Sequence, residues 1–368
     1  MHIAFFGSSL VSAYWNGAAT YYRGILGALA RRGHRITFYE PDAFDRQKHR
    51  DMDPPPWADV VVYQPTEADA AAMLERAGEA DVVVKASGVG VLDAWLEANV
   101  LGLKAPGRKV VFWDVDAPAT LESIRTSPDD RLGPLVPSFD MVLTYGGGDP
   151  VVKAYTSLGA QVCVPIYNAL EPSTHHPVPP DRAFLCDLGF LGNRLPDREA
   201  RVEEFFLRPA TMLPRASFLI GGSGWDDKDM PANVGRLGHV YTYQHNAFNV
   251  SSKCVLNITR DSMARTGFSP PTRVFEAAGA GACLITDAWE GIDRFLAPGT
   301  EVLVAENGEQ VARLVREVTP DKARSIGLAA RQRLLAAHTY DHRAADVEAL
   351  LAGDASAAVS DAVREVVG

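Results

Sequence analysis

The 368-residue sequence predicts an α/β protein of two doubly wound parallel sheets. Short β-branched runs alternate with longer helical patterns almost from end to end. That alternation stops once, in a proline-rich stretch, and then restarts, while glycine, serine and asparagine collect just past the strand ends. Strands buried on both faces read as nearly continuous apolar runs, and the helices between them provide the crossovers that parallel pairing needs.

In the first half the apolar runs fall at 3–7, 35–40, 59–64, 81–87, 109–116, 141–145 and 161–166. Seven strands with intervening helices complete one Rossmann-like sheet. The segment 167–182 carries Pro172, Pro177, Pro179 and Pro180 without periodicity and reads as a linker, which sets a boundary near residue 168. The second series runs 184–191, 217–221, 236–240, 254–259, 283–287 and 301–305 and makes a second, slightly smaller Rossmann-like sheet. Helical patterns at 308–318, 320–337 and 339–351 close the chain. The domains expected are therefore 1–168 and 169–368, facing across a cleft, with C-terminal helices that pack back on the first domain. A small-residue tail after Leu351 is expected to be loosely held.

A net charge of −10 and the lack of a basic run argue against a nucleic-acid partner. No stretch reaches 18 apolar residues, so no transmembrane segment is expected, and a cytoplasmic protein is. Cys163, Cys186, Cys254 and Cys283 stand singly in apolar runs and read as buried thiols.

In open α/β sheets ligands bind beyond the carboxyl ends of strands. Past the first strand come Ser8, Ser9, Asn16 and Gly17, and Glu40 ends the second. Neither G-x-G-x-x-G nor G-x-x-x-x-G-K-[ST] occurs, which sets aside a dinucleotide enzyme and a P-loop ATPase and leaves this loop to an acceptor or sugar pocket. Asp114 and Asp116 form a D-x-D at the end of the fifth strand. Residues two apart share one side of a strand, so one of them is a candidate general base; the other reading is a helix cap at Asp116 and a backbone-bonded Asp114. Asn193, Arg194, Gly222, Trp225 and Arg260 occupy the corresponding loops of the second domain. Trp225 either stacks on a nucleobase or packs in the core.

The most telling stretch is Ser269-Pro270-Pro271-Thr272-Arg273-Val274-Phe275-Glu276. It reads as a helix starting near Pro270 with Ser269 as its cap. Arg273 and Glu276 share a face beside a helix N-terminus, which suits a diphosphate at the first turn and ribose hydroxyls one turn deeper; the plainer reading is a surface ion pair. With a helix N-terminus and Arg273 to neutralise phosphate, no metal is required. The histidines show no ligand spacing with a carboxylate, so metal independence is expected.

Leu188-Gly189-Phe190-Leu191-Gly192-Asn193, Leu237-Gly238-His239-Val240, the Arg273–Ala277 segment and His338-Thr339-Tyr340 resemble bacterial GT-B glycosyltransferases, nearest to the group that includes spore-maturation (CgeB-like) proteins. The resemblance is strongest over 185–350. It implies a nucleotide-diphosphate sugar as donor substrate, held by the second domain at Asn193, Arg194, Gly222, Trp225, Arg260, Thr272, Arg273 and Glu276. It also implies an unidentified acceptor at Ser8, Ser9, Asn16 and Gly17 of the first domain, with Asp114 and Asp116 as catalytic candidates and no cofactor. Members of this fold often carry E-x7-E on the donor side; Glu276 matches the second glutamate, whereas Phe268 stands at the first. A nucleotide-sugar epimerase and a ligand-binding module without turnover are the rival readings.

Overall fold

The computed structural model describes residues 1–14 and 16–353; Trp15 and the small-residue tail from Asp354 lie outside the described residues. Contacts divide the chain into two units, Met1–Asn168 with the segment from Tyr340, and Ala169–Thr339.

The first unit holds a seven-stranded sheet: β1 His2–Phe6, β2 Arg35–Pro41, β3 Ala58–Tyr63, β4 Val82–Ala86, β5 Lys109–Asp114, β6 Met141–Thr144 and β7 Cys163–Pro165. Its order is β3-β2-β1-β4-β5-β6-β7, and every pairing is parallel. Ile3 aligns with Ile36 on one side and with Val82 on the other. Burial on both faces explains the unbroken apolar runs, Val82–Ala86 being buried throughout. Lys85 is the polar exception in that strand. Its ammonium reaches the Ala86 carbonyl at 2.6 Å and Asp93 at 2.7 Å, so the charge is paired inside the core.

The second unit holds six parallel strands: β8 Cys186–Leu191, β9 Phe218–Gly221, β10 Val234–Gly238, β11 Ser252–Asn257, β12 Leu284–Asp287 and β13 Leu303–Ala305. The order is β10-β9-β8-β11-β12-β13, the same winding as in the first sheet. Phe190, Phe206, Phe218, Trp225 and Ile285 share its core. Among the described residues no helix is long and apolar enough to cross a membrane.

The second unit ends at Thr339 and does not run on to the C-terminus, and the last helix, Tyr340–Ala352, is a closing helix that packs back on the first unit. Tyr340 packs edge-on to Tyr21, and its ring fills the space a side chain on Gly24 would take, in the helix Ala19–Arg31. The Arg31–Asp341 and Arg32–Glu348 ion pairs flank that contact.

The proline-rich stretch is no free linker either. Leu170 N–H donates to the His338 carbonyl at 2.8 Å, Asn246 donates to the Thr174 carbonyl at 2.8 Å, and Asp181 N–H donates to Ser251 at 2.8 Å. Its prolines stiffen a strap laid over the second unit.

An added methyl at Gly24 would sit 2.2 Å from the Tyr340 ring. Gly24→Ala is expected to cost about 1–3 kcal/mol through overpacking, read as a lowered urea midpoint with an unchanged m-value.

Candidate functional site

Strand order reverses between β1 and β4 in the first sheet and between β8 and β11 in the second, and loops at such points are where ligands bind. In the first unit the loop after β1 is turned inward. Ser8 Oγ donates to Asn16 Oδ1 at 2.9 Å, and the Asn16 amide donates to the Ser9 and Ser12 carbonyls, both at 2.9 Å. Ser9 Oγ donates to Glu40 at 3.1 Å, and the same carboxylate accepts from Leu10 N–H at 2.6 Å. Ser8, Ser9 and Asn16 therefore hold the loop's own shape, and of the four expected acceptor residues only Gly17 is exposed.

The D-x-D reading fails on geometry. β5 ends at Asp114 and a helix starts at Ala117, so Asp116 is the N-cap residue and shares no strand face with Asp114. No side chain caps this helix by hydrogen bonding. Asp114 is fully buried and accepts from Tyr155 Oη at 2.5 Å, Ser87 Oγ at 2.7 Å, Thr120 Oγ1 at 2.9 Å and Asp116 N–H at 3.0 Å. Four donors and no solvent path make it a brace for the strand ends, not a base for an acceptor hydroxyl.

In the second unit Trp225 lies in the core and donates its indole N–H to the Gly192 carbonyl at 2.7 Å, so no face is free for a nucleobase. Arg194 is committed as well. Its guanidinium meets both oxygens of Glu199 at 2.9 and 2.8 Å and Asp227 at 2.9 Å. Hydrogen bonds from Arg194, then from Lys228, hold the Glu199 carboxyl at about 2. Asn193 is exposed, and its side-chain carbonyl accepts Ser223 N–H at 2.9 Å. Gly222 has φ +125°, and a Cβ there would lie 2.3 Å from the Gly192 carbonyl oxygen, so only glycine fits. Arg260 is exposed at the N-cap of the helix Asp261–Thr266.

The Ser269–Glu276 stretch holds the converging groups. Its helix spans Thr272–Gly279 with Pro271 at the N-cap, and no side chain caps it; Ser269 is buried with its hydroxyl unbonded, so the expected cap is corrected. The approach is tight. Gly267 and Phe268 both have positive φ, +70° and +47°, which is strained for a bulky residue, and Arg294 lies 4.5 Å over the Phe268 ring. Arg273 Nη1 stands 3.5 Å from Glu276 Oε2, and both side chains are largely covered, at 16% and 14% exposure, which rules out the surface ion pair. Arg273 Nε and Nη1 are buried without a hydrogen-bond partner.

Two histidines join this pair. His245 opens the helix His245–Ser251, which packs on Thr272–Gly279, and His175 comes from the proline-rich strap. One ring nitrogen of each and a Glu276 oxygen lie within 4.8 Å of one another. Burial, then the charge of Arg273, pulls His245 down to about 4; burial also lowers His175. Burial pushes Glu276 upward, but the Arg273 charge and then the imidazoles leave it below the usual carboxylate value. Spacing does not reveal this group, because 70 residues of chain separate His175 from His245 and the proline pattern of the strap is that of a linker. An open groove of about 780 Å³ adjoins it, lined by Thr174, His176, Arg182, Tyr243 and Asn246 among others.

Residues 198–349 match the model of a family described as glycosyl transferase-like. No curated protein matches the chain. Sucrose-phosphate synthase of Thermosynechococcus elongatus is similar in fold, with 14% identity and a TM-score of 0.67 over 97% of this chain and 100% of that one. HepE of Anabaena, solved with UDP and glucose, gives 13% and 0.68 over 96% and 100%. An α-glucosyltransferase solved with UDP and a 13-mer DNA gives 12% and 0.67 over 96% and 99%. At these identities the likeness speaks for the fold, two parallel-sheet α/β domains of the GT-B type. Residues 198–349 thus resemble that family, and the fold of the chain is of the GT-B type.

Replacing Asp114 by Asn leaves one of its four donors without a proper acceptor. A loss of about 1–3 kcal/mol in unfolding free energy is expected, whereas a solvent-facing catalytic carboxylate would leave stability unchanged.

Proposed function

We propose that the chain transfers a sugar from a nucleoside-diphosphate donor, of the kind bound in the HepE structures, to an acceptor hydroxyl, with the diphosphate seated at the Thr272 turn. The observation that carries this is Arg273: a largely covered guanidinium, ion-paired to Glu276 but with Nε and Nη1 making no hydrogen bond, at an uncapped helix N-terminus. A buried cation with unused donors is costly unless an anion completes it. The helix dipole adds to the same attraction.

As the acceptor oxygen attacks the anomeric carbon, negative charge grows on the departing diphosphate. Arg273 and the amides of the first turn stabilise that charge in a preorganised setting. Glu276, kept anionic beside Arg273, aligns the guanidinium and is the acceptor for a ribose hydroxyl. Phe268 stands where the first glutamate of E-x7-E would lie, so the donor sugar is held without a carboxylate at that place. Within that reading, the motif resemblance supports a place near the spore-maturation group.

A thermal-shift series with UDP, GDP, dTDP and ADP is expected to single out one base, since a bound nucleotide raises the midpoint by mass action. Arg273→Ala is expected to weaken that nucleotide about 10- to 100-fold, the worth of a charge-assisted hydrogen bond or two. Unchanged affinity in that variant would remove the assignment. Donor consumption without acceptor, yielding an isomeric nucleotide sugar, would favour an epimerase instead.

A further inference from the structure

We propose that His175, His245 and Glu276 hold a divalent transition-metal ion of the zinc type. Hydrogen-bond bookkeeping carries the argument. The His245 Nε2 contact at 3.2 Å is to the Val240 carbonyl, which can only accept, so Nε2 carries the proton and Nδ1 presents a bare lone pair. Thr174 donates its one hydroxyl proton to the Glu171 carbonyl at 3.1 Å. Its oxygen, 3.0 Å from His175 Nδ1, must then accept, which puts the proton on Nδ1 and leaves Nε2 bare.

The two nitrogens left bare, His175 Nε2 and His245 Nδ1, are the ones buried without a partner, and His175 is 94% covered, being 6% exposed. One ring nitrogen of each histidine and a Glu276 oxygen lie within 4.8 Å of one another, and the unprotonated nitrogens are the ones able to serve as ligands. Such a group repels itself unless a cation sits among it. Arg273 pairs with the carboxylate through Nη1 at 3.5 Å, but its Nε and Nη1 donate to neither ring, so both imidazole lone pairs stay without a donor.

The outer shell also has the form metal sites take. Each imidazole gives its one N–H to an oxygen, Val240 O or Thr174 Oγ1, which fixes ring and tautomer. Two imidazoles and one carboxylate suit zinc better than magnesium or calcium, and three protein ligands leave a fourth position open. The proposal shares Glu276 with the donor site but does not depend on nucleotide binding.

The test uses the full chain, stripped with chelator and titrated with Zn²⁺ by calorimetry and with Co²⁺ by absorption. About one equivalent is expected to bind, with the strong visible bands of four-coordinate Co²⁺. His175→Asn and His245→Gln, close in shape and checked for native circular dichroism, are each expected to lose more than about 100-fold in affinity. Thr174→Val, which removes only the outer-shell oxygen, should lose about 10- to 100-fold. No saturable uptake by the wild type, or uptake undiminished in the double His variant, would overturn the site. UDP titration in excess chelator separates the two readings: nucleotide binding there supports the donor site by itself, while the Zn²⁺ titration of the stripped chain without nucleotide decides the metal site by itself.

Discussion

Parallel strands have to be buried on both faces, and most of this structure follows from that requirement. The faces of both sheets are given over to core, so polar groups with chemical work to do are pushed to the strand ends and to the helices that cover them. Even there most polar side chains are spent on holding the loops. Asp114, Glu40 and Asp287 are fully buried at strand ends, and each gathers hydroxyls or amides from neighbouring loops. Asp287 also takes the Arg201 guanidinium at 2.5 Å. These carboxylates tie the crossovers together where the ladder stops.

That division of labour explains what could be read from the residues. All thirteen strands were legible, because a strand with two buried faces leaves an apolar run whose limits the turn residues mark. The site was legible only in part. Arg273 and Glu276 stood out because they lie one turn apart on one short helix. Asp114, Arg194 and Trp225 have types and places that suit either a ligand or a brace, and only their partners decide between the two. A carboxylate with four donors, a guanidinium between two acids and an indole bonded to a carbonyl are all already occupied.

His175 was missed for the opposite reason. Prolines in 167–182 signal lack of regular structure, and a segment without helix or strand is easily taken as free. Here the fixed φ of each proline lowers the entropy lost when the strap lies down, so an irregular segment can deliver a side chain as firmly as a helix. The strap's anchoring at Leu170, Thr174 and Asp181 brackets His175 on both sides.

The return of the last helix to the first unit has a consequence for biosynthesis. The chain leaves the first unit after Asn168 and rejoins it at Tyr340, so the second unit is spliced into the first as an uninterrupted block. A ribosome must therefore finish the guest before the host receives its final piece, and the groove around Gly24 stays uncovered while 171 codons are read. The nascent first half passes that interval with the space later filled by the Tyr340 ring still open. The Leu170–Thr339 bridge brings the two ends of the guest side by side, so it can close on itself before that interval is over.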